Sequence, residues 1–383
     1  MDKIKTVLRE SSRIQFIKKM YGKMCCLKNI CAKNVVLNMK PEEAIRYLNS
    51  VHPCPSGIMV PMVPEKERTL DLSIIIPAHN ASAYICQCLD SILKQKTQYS
   101  YELIIIENAS SDGTWEIICK YEKNNRVRIL QSEKADPSAA RNAGLRISRG
   151  NYLMFVDADD YLLPGIIEQM MNAVLKQKAD IVVCGFEKME SGKLYQYPDV
   201  TEKTVWTDVE QMENIYGFAW GKIYHWQLFE DVCFPENLWY EDTIIHMEIF
   251  PRAKKMIVLP VLGLVYRRNS GSITACHERT VRCLDTFWVM QAILQKRNEE
   301  GLKCDRVIYQ ELLKHFSDVS WIRIRQQPKE IKEAFFCAAA YLLDRERQHI
   351  QTTSLPPKMR ALDVIFREKK EKLWENYCKY GCL

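Results

Sequence analysis

An α/β fold with a mostly parallel sheet and helices on both faces is what this sequence predicts, and three observations carry the prediction. Five short apolar runs, rich in β-branched residues, recur between residues 71 and about 186. Helical patterns separate them. Polar clusters follow the runs. Continuous apolar runs of this length fit strands covered on both faces. Strand–helix–strand alternation then makes those strands parallel.

The elements follow in chain order. The predicted strands are LSIII (Leu72–Ile76), ELIII (Glu102–Ile106), VRIL (Val127–Leu130), YLMFV (Tyr152–Val156) and DIVVCGF (Asp180–Phe186). After the first, Ile85, Cys88, Leu89, Ile92 and Leu93 fall at i, i+3, i+4, i+7 and i+8, one face of a helix. After the fourth, Ile167, Met170, Met171 and Val174 repeat that spacing, and Pro164 suits a first helical turn. The flanks differ in texture. Residues 1–70 read as a basic helical extension, then a linker rich in proline (Pro53, Pro55, Pro61, Pro64). Residues 71–274 form the expected catalytic domain, and residues 275–383 read as helical throughout. Lys329–Gln348 is the clearest amphipathic stretch there, with acceptor binding and homodimer formation both open as its role. Aromatics such as Phe287, Trp288, Phe316, Trp321, Phe335 and Phe336 are expected in a helical core.

Composition narrows the class. The 383 residues are 47% apolar and 27% charged, which suits two or three globular domains. A net charge of +6 is too mild to argue for nucleic acid, but it suits anionic ligands. No apolar run approaches the ~18 residues needed to cross a bilayer, and the opening MDKIKTVLRE lacks the apolar core of a signal peptide. Fifteen scattered cysteines, without paired CxxC knuckles, read as reduced thiols rather than a disulfide or zinc scaffold. The expected location is the cytoplasm. Ile4, Val7, Ile14, Ile17, Tyr21 and Met24, interleaved with Lys and Arg, make a basic amphipathic helix. Packing against protein is its favoured reading, and peripheral contact with the inner face of a membrane is the other.

The polar clusters carry the chemistry. Ligands of parallel α/β sheets bind beyond the C-terminal ends of the strands. Here those ends lead into PAHN (Pro77–Asn80), ENASSDGT (Glu107–Thr114) and DADD (Asp157–Asp160). Helix capping accounts for Asp112, Thr114, and Asn80 or Ser82, but a cap needs one acceptor and DADD supplies three carboxylates. Residues two apart in an extended segment face one way, so Asp157 and Asp159 pair while Asp160 is left for the turn before Pro164. Two adjacent carboxylates repel unless a proton or cation lies between them. Mg²⁺ or Mn²⁺ prefers oxygen ligands and keeps positions open for phosphate. There is no GxxxxGK[ST] loop and no GxGxxG after a strand. What remains is a nucleotide site made of carboxylates and a metal.

In order, LSIIIPAHN, ELIIIENASSDGT, PSAARNAGL and GNYLMFVDADD resemble the inverting family 2 glycosyltransferases of GT-A fold, of the bacterial surface-polysaccharide type. The resemblance is strong over about residues 71–190. It continues weakly through WGKIY (Trp220–Tyr224), FPENLWYEDT (Phe234–Thr243) and YRRNSGSIT (Tyr266–Thr274). It implies that Pro77, Ala78 and Asn80 shape a nucleotide pocket, and that Glu107 and Asn108 meet the base. It implies that Arg141 and Asn142 line the sugar-nucleotide side, and that Asp157, Ala158 and Asp159 form the DxD motif. Asp159 is then the stronger metal ligand and Asp157 the second. Asp242 matches the catalytic base with Glu241 in reserve, and Arg267 or Arg268 meets the diphosphate. The implied cofactor is Mn²⁺ or Mg²⁺. The implied donor is a nucleotide-sugar, UDP-sugar foremost, and the acceptor a glycan, lipid-linked or other hydroxyl in polysaccharide or glycoconjugate synthesis. Two features depart from the family pattern. Glu107–Asn108 replaces the commoner pair of aspartates, which leaves uracil selection open. The Gln-x-x-Arg-Trp string of processive members is missing, so transfer of one or a few sugars is expected. A nucleotidyltransferase would want a glycine-rich, Arg-containing loop after the first strand, and PAHNASAY is not one. A non-catalytic glycan- or nucleotide-binding protein of the same fold is the other alternative, and the intact DADD and YED strings argue against it.

Overall fold

The computed structural model describes residues 37–60, 67–197, 204–206, 215–269, 280–348 and 350–381. The basic helix expected over residues 3–24 lies outside them, as do Pro61, Pro64 and residues 270–274. The chain forms two compact units. One holds residues 55–276 and 292–296, the other residues 1–54, 277–291 and 297–383. The two flanks read separately in the sequence thus contribute to one unit.

The strands are β1 (Leu70–Ala78), β2 (Tyr101–Asn108), β3 (Val127–Ser132), β4 (Gly150–Phe155), β5 (Tyr161–Leu162), β6 (Ile181–Glu190), β7 (Lys193–Tyr197), β8 (Thr204–Trp206), β9 (Lys222–His225) and β10 (Met256–Arg267). The helices are α1 (Pro41–Val51), α2 (Ile85–Leu93), α3 (Thr114–Ile118), α4 (Pro137–Ile147), α5 (Ile166–Gln177), α6 (Phe250–Arg252), α7 (Asp285–Glu299), α8 (Arg306–Lys314), α9 (Ser320–Ile324), α10 (Lys329–Arg347), α11 (Pro357–Arg367) and α12 (Glu371–Tyr380).

Among the described residues, ten strands join one sheet, with the path β3-β2-β1-β4-β9-β6-β10-β5; β7 pairs with β6 and β8 with β10. The β3-β2-β1-β4 part is wholly parallel, with Ile74 paired to Leu103 on one side and Met154 on the other. Four of the five apolar runs read as strands lie here, with β1, β2 and β4 buried as expected and β3 largely half-buried; the fifth, DIVVCGF, forms the buried start of β6. The other half is mixed. β6 and β10 are parallel, but β9 runs antiparallel between β4 and β6. β7 returns from β6 through Ser191–Gly192, both at positive φ, the two-residue turn that matches strand twist. In β10, the register shifts between Val258 and Leu262, around Pro260, which cannot donate to the ladder.

Helix faces follow their spacing. Ile85, Cys88, Leu89 and Ile92 of α2 are fully buried, as are Ile167, Met171 and Val174 of α5. Each such aliphatic side chain contributes about 1.5–3 kcal/mol. Pro164 falls before α5 rather than in its first turn, because Gly165, at φ +78°, breaks the chain direction there. α4 sits close on the sheet because Gly144 has no side chain: a Cβ there would lie 2.5 Å from Ile75 Cγ2.

In the other unit, α1 packs on α10 through Ala44 and Leu48. Phe316, Phe335, Phe336, Phe366 and Trp374 form an aromatic core, and the Trp374 indole N–H donates to the Phe316 carbonyl at 3.0 Å. Asp363 accepts from Tyr309 Oη (2.5 Å) and Arg347 Nε (2.7 Å), so its buried charge is paired. Among the described residues, no helix is long and apolar enough to cross a membrane.

Candidate functional site

β1, β2 and β4 are parallel neighbours, so their following loops emerge at one sheet edge. The first two are stitched together. Asn80, left-handed at φ +47°, accepts from the Ser111 N–H at 2.9 Å and donates its own N–H to Ser110 Oγ at 3.0 Å. The Ala81 N–H donates to Thr114 Oγ1 (2.8 Å) and the Ser82 N–H to Asp112 (3.0 Å). Asn80 thus ties two loops rather than capping α2. Burial pushes the Asp112 carboxyl up, but hydrogen bonds from Thr114 and Ser82 outweigh it and bring it down to about 2. His79 Nδ1 donates to the Asn108 carbonyl at 2.7 Å, and its Nε2 accepts from the Asn80 amide at 3.1 Å. Those partners assign the ring proton to Nδ1. Glu107 is buried and accepts from the Ser110 N–H at 2.6 Å. Asn108 is buried too, and its Oδ1 has no hydrogen-bond partner among the described residues. Ala78 is buried at the end of β1, with Pro77 half-buried before it.

DADD follows β4 as a turn, with the Asp160 N–H donating to the Asp157 carbonyl at 3.0 Å. Asp160 does not serve the turn before Pro164. It is wholly buried, and its Oδ1 accepts from the Arg267 N–H at 2.8 Å, pinning the end of β10. Burial, then the charges of Asp159 and Asp157, push its carboxyl well above the usual range. Asp159 is pushed up to about 6, by burial first and by Asp157 next, and it accepts from Asn269 Nδ2 at 2.8 Å. Ala158 is buried between them.

Arg141 joins DADD to the second carboxylate string. From α4, its buried guanidinium donates to Asp157 Oδ1 at 2.9 Å and to Glu241 Oε1 at 2.5 Å. Burial pushes it down, but the two carboxylates outweigh this and raise it, so it stays charged. Glu241 is therefore buried and engaged, while Asp242 beside it is half-buried. The Asp242 carbonyl accepts from the Ile245 N–H, opening a π turn (Ile245–Ile249), a form that recurs at functional sites. Tyr240, directly before the pair, is left-handed at φ +68°.

Asn142 was expected to line the sugar-nucleotide side, and here the structure differs. It is fully buried. Its Nδ2 donates to the Phe234 carbonyl (2.9 Å) and Glu236 (3.0 Å), and its Oδ1 accepts from the Phe234 N–H (2.8 Å). Every polar atom of the amide is thereby used to hold the segment that leads to Glu241–Asp242. The two arginines of YRR also part. Arg267 is buried, donates to the Asp159 carbonyl and to Gln87 Oε1, and lies over Tyr161 (4.7 Å) and Tyr84 (5.3 Å). Arg268, exposed on the opposite side of the strand, pairs with Glu190 at 2.6 Å.

Two carboxylates with residual repulsion fit a divalent cation that takes its other ligands from phosphate. Asp159, raised to about 6 by burial first and by the charge of Asp157 next, is the carboxylate that a cation there would favour in its ionised form. Among the described residues, no three His, Cys, Asp or Glu side chains gather as a self-sufficient metal site.

Residues 73–225 match the family model "Glycosyl transferase family 2". This chain carries a family 2 glycosyltransferase domain. The uncharacterized glycosyltransferase EpsJ of Bacillus subtilis is 31% identical over 216 residues, 53% of this chain and 62% of that protein. Glycosyltransferase GlyA of Streptococcus pneumoniae is 30% identical over 218 residues, 53% of this chain and 31% of that protein. The chain thus spans less than two thirds of either relative. The crystal structure of Staphylococcus aureus TarS residues 1–349 with UDP-GlcNAc superposes with a TM-score of 0.60 at 20% identity, covering 82% of this chain and 93% of that one. That likeness shows a shared GT-A fold.

The glycosyltransferase domain also holds functional-site neighbours that the sequence motifs do not single out. Lys222 of WGKIY is wholly buried, and its Nζ donates to the carbonyls of Phe218 (2.8 Å) and Trp220 (3.4 Å), 3.7 Å from the Tyr216 ring centroid. Burial pushes its amine well down, and the charges of Cys184 and Asp242 pull it back. A lysine set among Trp220, Ile223 and Tyr224 is the signal that was there to read. Asn269 gave no such signal, because its partner Asp159 lies 110 positions away.

Proposed function

We propose that the domain over residues 71–274 moves a sugar from a nucleotide-sugar to an acceptor hydroxyl with inversion at the anomeric carbon, in the making of a polysaccharide or glycoconjugate. One observation carries the reading: Arg141 bonds to both Asp157 of DADD and Glu241 of YED. The diphosphate end and the base end of the reaction are therefore parts of one site.

Roles follow from the surroundings of each group. Asp242 takes the proton from the acceptor hydroxyl, and that oxygen attacks the anomeric carbon opposite the leaving nucleoside diphosphate. Glu241, taken up by its bond from Arg141, is the support and not the base. Arg267, fixed by Asp159 and Gln87 beneath its guanidinium, supplies positive charge on the diphosphate side. Mn²⁺ or Mg²⁺ held by Asp159 and Asp157 would neutralise diphosphate charge as the leaving group departs. The unpartnered Oδ1 of Asn108 suits a base with an N–H to donate, which uracil has. TarS, named a poly(ribitol-phosphate) β-N-acetylglucosaminyltransferase and solved with UDP and with UDP-GlcNAc, also favours a UDP-linked sugar. Such donors are cytoplasmic, and that is where the reading puts the protein, with residues 3–24 as the candidate membrane contact.

UDP with Mn²⁺ should raise Tm, since a ligand that binds only the folded state stabilises it. Asp242→Asn should keep that rise and lose at least about 100-fold in turnover, the usual worth of a general base. The absence of a shift with every nucleoside diphosphate plus Mn²⁺ overturns the proposal. A non-catalytic binding protein would show the shift with no turnover in the parent chain.

A further inference from the structure

The loop before β9 carries a set of rings that the reaction as described does not use. Phe218 stacks on Trp220 with centroids 4.7 Å apart and planes 11° apart, and Trp220 stacks on Tyr266 at 5.3 Å and 15°. Phe186 stands edge-on to Trp220 at 4.8 Å, and Tyr216 leans on Phe218 and Trp220 from the side. Trp220, in the middle of the column, is 5% exposed, whereas Phe218 at its end is 40% exposed. Among the described residues, the ring contacts of Phe218 are with Tyr216 and Trp220 alone. A large apolar ring is therefore held flat at the end of a stacked column with part of its face toward solvent.

The loop is fixed in three ways. Lys222 Nζ holds the Phe218 and Trp220 carbonyls from below. Gly221 takes φ +72°, which few side chains tolerate. Gly217 lies so close to His246 that a Cβ would sit 2.2 Å from the imidazole. His246 belongs to the π turn that Asp242 opens. At the other end of the column, Tyr266 precedes Arg267, whose guanidinium donates to the Asp159 carbonyl. The column thus runs between the residue beside DADD and the turn beside the proposed base.

We infer that Phe218 is the platform for the acceptor, and that the acceptor presents a pyranose ring rather than an open-chain polyol phosphate. This rests on the function proposed above. The axial C–H face of a pyranose is apolar and flat enough to lie on an aromatic ring, with its hydroxyls left at the rim for Asp242. Rigid aromatic surface binds at low entropic cost. An acyclic polyol phosphate has no such face and calls for an exposed cation free to meet it, whereas Lys222 is buried on backbone carbonyls and Arg268 is paired with Glu190.

The test uses the full chain, with the sugar nucleotide it hydrolyses fastest, and methyl β-D-glucopyranoside, methyl β-D-galactopyranoside, methyl N-acetyl-β-D-glucosaminide and ribitol 5-phosphate as acceptor probes. Nucleotide release above background, with product mass, reports transfer. At least one pyranoside should be glycosylated, and Phe218→Ala should raise its KM about tenfold, the scale of one aromatic stacking contact. The donor KM should stay where it was. Phe218→Trp should keep the low acceptor KM, and Phe218→Leu, which retains apolar bulk without a flat face and guards against misfolding of the alanine variant, should lose it. Transfer to ribitol 5-phosphate alone, to no probe, or to a pyranoside with an unchanged KM in both Phe218→Ala and Phe218→Leu overturns the inference. Failure of the parent chain to bind or hydrolyse any sugar nucleotide instead overturns the function on which it rests.

Discussion

Replacing Arg141 with methionine keeps much of the side-chain volume and removes a buried cation from between two carboxylates. The size of the effect can be worked from the surroundings of each partner. The Glu241 side chain is 12% exposed and loses its bond at 2.5 Å, so its charge is left in a poorly solvated place. The Asp157 side chain is 29% exposed and loses a bond at 2.9 Å, but water can replace much of that. Breaking a buried pair by removing one partner costs about 3–5 kcal/mol, and the hydration of Asp157 puts this case near 3 kcal/mol. For a unit of this size, that lowers Tm by about 6–12 °C. Urea unfolding followed by circular dichroism measures it, with the slope m checked for constancy between variants. Adding Glu241→Gln removes the stranded charge, so the double variant should recover at least about half of the loss, a coupling in the range seen for contacting residues. A loss under about 1 kcal/mol for Arg141→Met, or no recovery in the double variant, would refute the claim that this guanidinium organises the site.

Three further outcomes follow from other groups. Asp159→Asn should abolish the Mn²⁺-dependent part of the UDP-induced Tm rise while leaving the fold intact, and an unchanged rise would remove Asp159 from the metal site. Asp112 is held below its ordinary range, so its stabilisation is full above about pH 4 and lost as pH falls through about 2. Asp112→Asn should therefore lower stability at pH 7 and converge with the parent in acid, and a gap that persists at pH 2 would contradict the assignment. Gly150→Ala should destabilise more than Gly144→Ala. The added Cβ meets the backbone N of Ser73 at 2.3 Å in the first case and the movable side chain of Ile75 at 2.5 Å in the second, where overpacking costs about 1–3 kcal/mol. The reverse order in urea would count against the helix–sheet packing described here.

The first half of the domain was legible because its signals are local. Ile74 and Ile104 sit in continuous apolar runs, and Cys88 and Leu89 lie on one helical face. The second half was legible only at β6, where DIVVCGF is a continuous apolar run, because β9 and β7 are short and antiparallel, and β10 is broken by Pro260 and a register shift. Pattern alone does not pair such strands. In the site, the strings DADD and YED were each visible, but nothing local says that Arg141 joins them, since Glu241 is 100 positions from it. The same limit explains Asn142. Its place in ARNAG suggested a ligand contact, and its actual partners, Phe234 and Glu236, lie more than 90 positions away. Asp160 was read by alternation as a turn residue, whereas its hydrogen bond reaches across 107 positions to the Arg267 backbone.

That last bond bears on how the chain tolerates change. Asp160 and the Arg267 N–H join the two ends of the segment that runs from the turn after β4, through β5 to β9, to the end of β10. A change in length or composition at its exposed Ser191–Gly192 turn leaves that junction beside the carboxylates in place. That turn is thereby open to redesign, whereas residues 234–242 of the same segment are not, since Asn142 and Arg141 tie them to the first half of the domain.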